Sequence, residues 1–121
     1  QIKLAAGAML SVFGKTQSSI ITPQATIGIR GTACYVDVQA QRTYACVCYG
    51  KADLGSSISG ALLETVKTQH HDSPRYIYPP DGPVQIERAP VINHTDVELR
   101  MLEALVNRRP LFDVLGLGDD Y

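Results

Sequence analysis

The chain has 121 residues, enough for one domain of ordinary size. A hydrophobic fraction of 45% and a charged fraction of 19% fit a folded globular domain and argue against disorder along most of its length. A net charge of −1 leaves no basic footprint for nucleic acid or an anionic membrane, and no apolar run approaches the roughly 20 residues that span a bilayer.

The chain opens on Gln1-Ile2-Lys3 rather than Met, which predicts a processed or trimmed product whose export signal has been removed. The first two-thirds then reads as strands. "AMLSVFG", "SSIITP", "ATIGIRGT", "CYVDV", "TYACVCYG", "KADL" and "ALLETVKT" are short and rich in β-branched and aromatic residues. Gly, Pro, Ser, Asn or Gln punctuate them every eight to twelve residues or so, as in all-β domains. No helix-period segment precedes residue 90, which argues against a parallel βαβ architecture. A single domain over residues 1–121 is expected, with a β domain at 1–78, an arm at 79–93, and a helix and tail at 94–121.

In "YIYPPDGPVQIERAP" four prolines (Pro79, Pro80, Pro83, Pro90) keep the chain extended and prevent a helix. The segment reads as an ordered arm lying across the β domain, anchored by Ile77, Val84 and Ile86. Gly and Ser are too scarce for a flexible linker.

"NHTDVELRMLEALVNRRP" predicts the one helix, over about 95–108. Thr95 with Glu98 makes a capping box, and Asp96 and Glu98 in the first turn suit the helix dipole. Val97, Met101, Leu102, Leu105 and Val106 form one apolar stripe, and Pro110 stops the helix. The stripe is expected to cover an open face or edge of the β domain. A partner chain is the alternative, an envelope protein or a second copy docking through the helix or the tail "LFDVLGLGDDY". The tail's own place, packed back or docked elsewhere, stays open.

Between Thr22 and Leu54 the sequence resembles the FecR-like domain of bacterial envelope proteins. That family carries a "T-P-x-A-x-x-G-I/V-R-G-T-x-F/Y-x-V" run, matched here by Thr22, Pro23, Ala25, Gly28, Arg30, Gly31 and Thr32. A later strand ending in "E-G-x-V/A-x-V/L" is matched by Gly50, Ala52 and Leu54. The resemblance covers roughly residues 1–67. It implies an all-β, antiparallel-rich domain in the periplasm or cell envelope, with sensing, scaffolding or binding roles and no catalytic residues. Tyr49 stands where the family usually has Glu, and Cys34, Cys46 and Cys48 replace ordinary residues. The part after residue 67 lies outside the common pattern.

Physically, Gly28 and Gly31 bracket Arg30, so the backbone can bend sharply or pass close to another strand. The first reading of Arg30 is that it fixes this turn by tying down nearby carbonyls or a carboxylate; direct ligand binding is the second.

Three cysteines and three histidines are the chain's chemical content. Side chains alternate along a strand, so Cys46 and Cys48 share one face. Their Cα atoms would lie about 6.5–7 Å apart, at or beyond the limit for a disulfide, whereas two thiolates on one face can both reach a metal at about 2.3 Å. Cys34 depends on hairpin register. If Val38 pairs with Thr43, Cys34 faces Val47 and points away from the other two thiols; a one-residue slip brings it to Cys48 or Cys46. The family pattern puts Cys34 at an inward aromatic position, as a small buried hydrophobe.

His70 and His71 are the expected nitrogen ligands. One of them meets the thiols if they lie in a strand, and both can in a loop, with Asp72 orienting an imidazole. His94 and Cys34 are the lesser candidates. Mixed thiolate and imidazole ligation suits zinc best, with copper(I), a [2Fe–2S] cluster or no metal as alternatives. No G-x-S-x-G, H-E-x-x-H or P-loop is present, and a C-x-C strand is an unusual place for a nucleophile–base pair. The sequence therefore predicts a non-catalytic envelope module that binds or senses a metal. The competing reading is a protein-interaction or scaffold domain with structural cysteines.

Overall fold

The computed structural model describes residues 1–117. In chain order the elements are β1 (Ile2–Lys3), β2 (Gly7–Val12), β3 (Ser18–Ile21), β4 (Ala25–Val38), β5 (Thr43–Ser56), β6 (Leu62–Thr68), β7 (Arg75–Ile77), β8 (Ile86–Arg88), α1 (Asp96–Leu105) and α2 (Leu111–Val114). All eight strands join one sheet, as the mostly-β reading of the sequence requires. The β4–β5 hairpin is its spine. The outer edge of β4 takes β3 along residues 26–29 and β2 along 33–38. The outer edge of β5 takes β7 along 43–45 and β6 along 50–55. Residues 46–49 of β5 lie in the gap between those two partners.

"ATIGIRGT" and "CYVDV" are one strand, not two, and so are "TYACVCYG" and "KADL". The glycines between them bend a continuous hairpin. The β4–β5 register slips between Arg30 and Cys34. Gly31 sits at φ 60° and Gly50 at φ 98°. A Cβ on Gly50 would lie 2.8 Å from the Gly31 carbonyl oxygen, so only glycine permits the strands to cross this closely. Thr32 fastens the kink by donating to the Arg30 and Lys51 carbonyls at 2.9 and 3.0 Å. Arg30 donates from Nε to the Lys15 carbonyl at 3.0 Å, tying down a backbone oxygen.

One face of the sheet buries Ile20, Ile27, Ile29, Val36, Val47 and Leu54 with Cys34. These residues all come from strands, so the sheet must curl over its own side chains to close this core. The hairpin pairs Val38 with Thr43 and Cys34 with Val47, which puts Cys34 in this core and away from Cys46 and Cys48. Burial pushes the Cys34 thiol up to about 12, and its polar neighbour is the Ser11 hydroxyl at 3.9 Å. Cys34→Ser is expected to cost about 1–3 kcal/mol of stability, read from a denaturant midpoint, because a hydroxyl is desolvated there with one weak partner.

The proline-rich segment is a hairpin rather than a simple extended arm. β7 pairs with both β5 and β8, and Tyr78 N–H closes the turn onto the Gln85 carbonyl at 2.8 Å. Ile77 is fully buried and Ile86 packs against the core, but Val84 is exposed and anchors nothing.

Thr95 caps α1 and accepts the Glu98 N–H at 3.3 Å. The helix ends at Leu105, earlier than 108, because Asn107 turns left-handed at φ 58°. The tail forms α2, which packs back and buries Phe112. Its acidic end, Asp119 and Asp120, lies outside the described residues.

The largest departure is the face that α1 uses. Asp96, Leu99 and Glu103 are buried against the sheet, while Val97, Met101, Leu105 and Val106 face outward. Met101 is 64% and Leu105 81% exposed. The sheet surface below is mainly apolar, with Ala33, Tyr35, Cys46, Cys48 and Tyr49 packed under Leu99, but it carries isolated polar atoms that need partners, and Asp96 and Glu103 supply them. Tyr49 donates to Glu103 Oε2 at 2.8 Å, and Arg108 holds Oε1 of the same carboxylate. Met101→Asp and Leu105→Asp are therefore expected to leave the monomer's stability within about 0.5 kcal/mol, whereas Leu99→Asp costs about 3 kcal/mol or more. Chemical denaturation of the three variants checks the assignment, and a large loss at Met101 would contradict it.

Candidate metal centre

The period-two alternation of β5 puts Tyr44, Cys46 and Cys48 on the face opposite the aliphatic core, and α1 and α2 roof over them with Leu99 and Phe112. All three cysteines are free thiols and all are buried.

The gap along β5 between β6 and β7 admits the turn after β6. His71 donates its backbone N–H to the Cys48 carbonyl at 2.8 Å, filling the place a strand would take. It does so in a left-handed conformation, φ 51°. Asp72 builds the turn by accepting the Gln69 N–H and donating its own N–H to Thr68 Oγ1, both at 2.9 Å. It holds the backbone and does not orient an imidazole. The second histidine at the site is His94, one residue before the Thr95 cap. It stacks on Tyr35 with ring centroids 4.7 Å apart.

Cys46 Sγ lies 3.4 Å from His71 Nδ1, and Cys48 Sγ lies 3.4 Å from His94 Nε2. The two ring nitrogens are 3.1 Å apart. One ligand atom from each of the four residues falls within 4.8 Å of every other. A tetrahedral ion with Zn–S near 2.3 Å and Zn–N near 2.05 Å sets N···N at about 3.3 Å and N···S at about 3.6 Å. The three separations observed, one N···N and two N···S, are shorter by about 0.2 Å, so these donor pairs sit close to the spacing that one ion requires.

The outer hydrogen bonds fix which nitrogens face inward. Asp96 Oδ1 accepts from His71 Nε2 at 2.9 Å, and the Ile92 carbonyl accepts from His94 Nδ1 at 2.6 Å. With those protons committed outward, His71 Nδ1 and His94 Nε2 both turn lone pairs toward the sulfurs and toward each other. Two lone pairs 3.1 Å apart repel unless a proton or a cation lies between them. The thiols point the same way. Hydrogen bonding from Cys48 pulls the Cys46 thiol well below its ordinary range, against the burial that opposes it. Burial pushes Cys48 well above. Burial lowers His71 too, but the Cys46 sulfur and the Asp96 carboxylate outweigh it and raise it overall. The pair thus shares one ionisation, and a second thiolate in this apolar enclosure requires a cation.

His70 is not beside the sulfurs. It donates from Nε2 to Asp96 Oδ2 at 2.8 Å and packs on Phe112. His70, His71 and Asp96 also cluster, but their N···O separations of 2.8 and 2.9 Å are hydrogen bonds that support the sulfur site. Asp96, fully buried, thus joins both histidines to the first turn of α1. The sequence placed Asp96 only as a dipole partner. "NHTD" held more, because a cap at Thr95 sets His94 and Asp96 on either side of it at one helix end.

Compared with known proteins, the chain matches no family model, no curated protein and no solved structure.

Proposed function

We propose that the protein is a non-catalytic metal-binding module that holds one ion at Cys46, Cys48, His71 and His94. The observation that carries this reading is the 3.1 Å approach of two imidazole nitrogens beside two thiols, each imidazole held by an acceptor on its far side. Zinc is the ion the donor set suits best, since two thiolates and two imidazoles make a closed tetrahedral site without an open position for substrate. Copper(I) shares the preference for thiolate. A [2Fe–2S] cluster spreads its ligands over two irons, and donor atoms this close favour a single ion instead.

The ion's task in this reading is mechanical. It joins β5, the turn at 69–72 and the segment entering α1, so metal occupancy and docking of the C-terminal helix become one event. A metal sensor would use that coupling. The bacterial-envelope setting is part of the proposal through the FecR-like resemblance of roughly residues 1–67. The interaction-module alternative draws on the exposed Val97, Met101 and Leu105 of α1, an apolar strip that a partner could cover.

Elemental analysis of protein purified under reducing conditions tests the reading. One equivalent of zinc or copper per chain is the expected result. Protein that retains neither after being offered both would eliminate the metal role and leave the scaffold reading. Binding should also weaken as pH falls, because thiolates and imidazoles must lose protons to ligate. Release is expected as pH drops below about 6.5, where free imidazole protonates, and a competition titration with a chromophoric chelator at graded pH reads it.

A further inference from the structure

The open half of the sheet face that carries the metal centre presents a row of like charges. Arg30 on β4 pairs with Lys51 on β5, and Lys51 pairs with Lys67 on β6. Directly opposed residues project from the same face with Cβ atoms about 4.5–5.5 Å apart, and opposed like charges destabilise a sheet. Two such pairs in succession, with all three side chains exposed, are an arrangement that folding alone disfavours. Among the described residues none of the three has an ion-pair partner. The next rung is different in kind: Thr65 donates to Asp53 Oδ1 at 2.7 Å, which holds that carboxylate on its own cross-strand partner.

The row borders a cavity of about 550 Å³, walled by Gln69, Asp72 and Leu111 and floored at Gly50. Arg30 is held by its Nε bond to the Lys15 carbonyl, which leaves its η N–H groups with no protein acceptor among the described residues. The opposing charge in the wall is Asp72, one of whose oxygens is committed to the Gln69 N–H. With Asp53 of the next rung counted beside Asp72, three cations stand against two carboxylates, and positive charge is still in excess.

We propose that this cavity binds a phosphate- or sulfate-type dianion carried by a small molecule, with Arg30, Lys51 and Lys67 as its ligands. A dianion turns the mutual repulsion of the row into attraction, and charge-assisted hydrogen bonds to tetrahedral oxyanions are the strongest that these side chains make. The turn at 69–72 that walls the cavity also presents His71 to the metal centre, but anion binding needs no metal and stands without it.

The test is a nuclear magnetic resonance titration with inorganic phosphate and, separately, sulfate, at ionic strength held constant with chloride. Saturable amide shifts at Gly50, Lys51, Lys67 and Gln69 are expected from both anions. Lys51→Gln should weaken binding about tenfold. Adding Lys67→Gln should remove saturation, with the Val36 and Val47 amides unmoved as the sign of an intact core. Without added anion, Lys51→Gln should raise the thermal midpoint, because it relieves repulsion on both sides. Shifts that chloride reproduces, or that survive in the double variant, would overturn the proposal. So would a lower midpoint, which would mean that Lys51 serves the fold.

Discussion

Cys46→Ser and Cys48→Ser are each expected to abolish tight metal binding and to loosen α1 from the sheet. Each sulfur is one of four donors that lie within 4.8 Å of one another, and no spare cysteine is on that face, since Cys34 belongs to the opposite core. The loss is not confined to the ion. His71 Nδ1 and His94 Nε2 remain 3.1 Å apart, and their approach is tolerable only with a positive centre between them. An ion present at about a thousand times its dissociation constant stabilises the folded state by about 4 kcal/mol. Chelation of the wild-type protein should therefore remove about that much stability, while Cys46→Ser and Cys48→Ser should be insensitive to chelator. Cys34→Ser should keep the full chelator response on a lowered baseline. Equal denaturant midpoints for wild type with and without chelator would mean that no ion holds the helix.

Asp96→Asn is expected to lower metal affinity about 10- to 100-fold while the sheet stays folded, the usual cost of losing a carboxylate behind a ligating histidine. One amide oxygen cannot replace two carboxylate oxygens that accept from His70 and His71 at 2.8 and 2.9 Å. The amide nitrogen would face an imidazole N–H, so His71 would turn or change tautomer and withdraw its lone pair from the site. Asp72→Asn is the control. Asp72 shapes the turn through the Gln69 N–H, which an amide oxygen also accepts, and affinity should change little. A metal titration of both variants separates the two carboxylates. If Asp72→Asn loses as much affinity as Asp96→Asn, the turn's shape matters more than the orientation of the ring.

The shared face of Cys46 and Cys48 was legible because strand alternation is local: two residues on, the side chain returns to the same side. The opposite placement of Cys34 depended on one hairpin register among three. His94 was harder to read as a principal ligand, because it reaches the sulfurs only after the chain has passed through the β7–β8 hairpin and come back over the sheet. No local period reports such a return. The helix misled for a physical reason. Val97, Met101 and Leu105 make a good apolar stripe, but the buried donors beneath α1, the His70 and His71 N–H groups and the Tyr49 hydroxyl, select Asp96 and Glu103, with Leu99 on the apolar ground between them. Gly31 and Gly50 read as strand ends because glycine marks turns and kinks alike, and only the opposing strand tells them apart.

Cobalt(II) substitution tests the central claim most directly. Reduced apo-protein titrated with cobalt should saturate at one equivalent. Its spectrum should show the intense visible bands of a tetrahedral ion and the near-ultraviolet charge transfer of two thiolates, and zinc should abolish both. Cys46→Ser and Cys48→Ser should each lower the charge-transfer intensity, while Cys34→Ser leaves it unchanged. A weak octahedral spectrum without thiolate charge transfer would contradict a closed site of two sulfurs and two nitrogens.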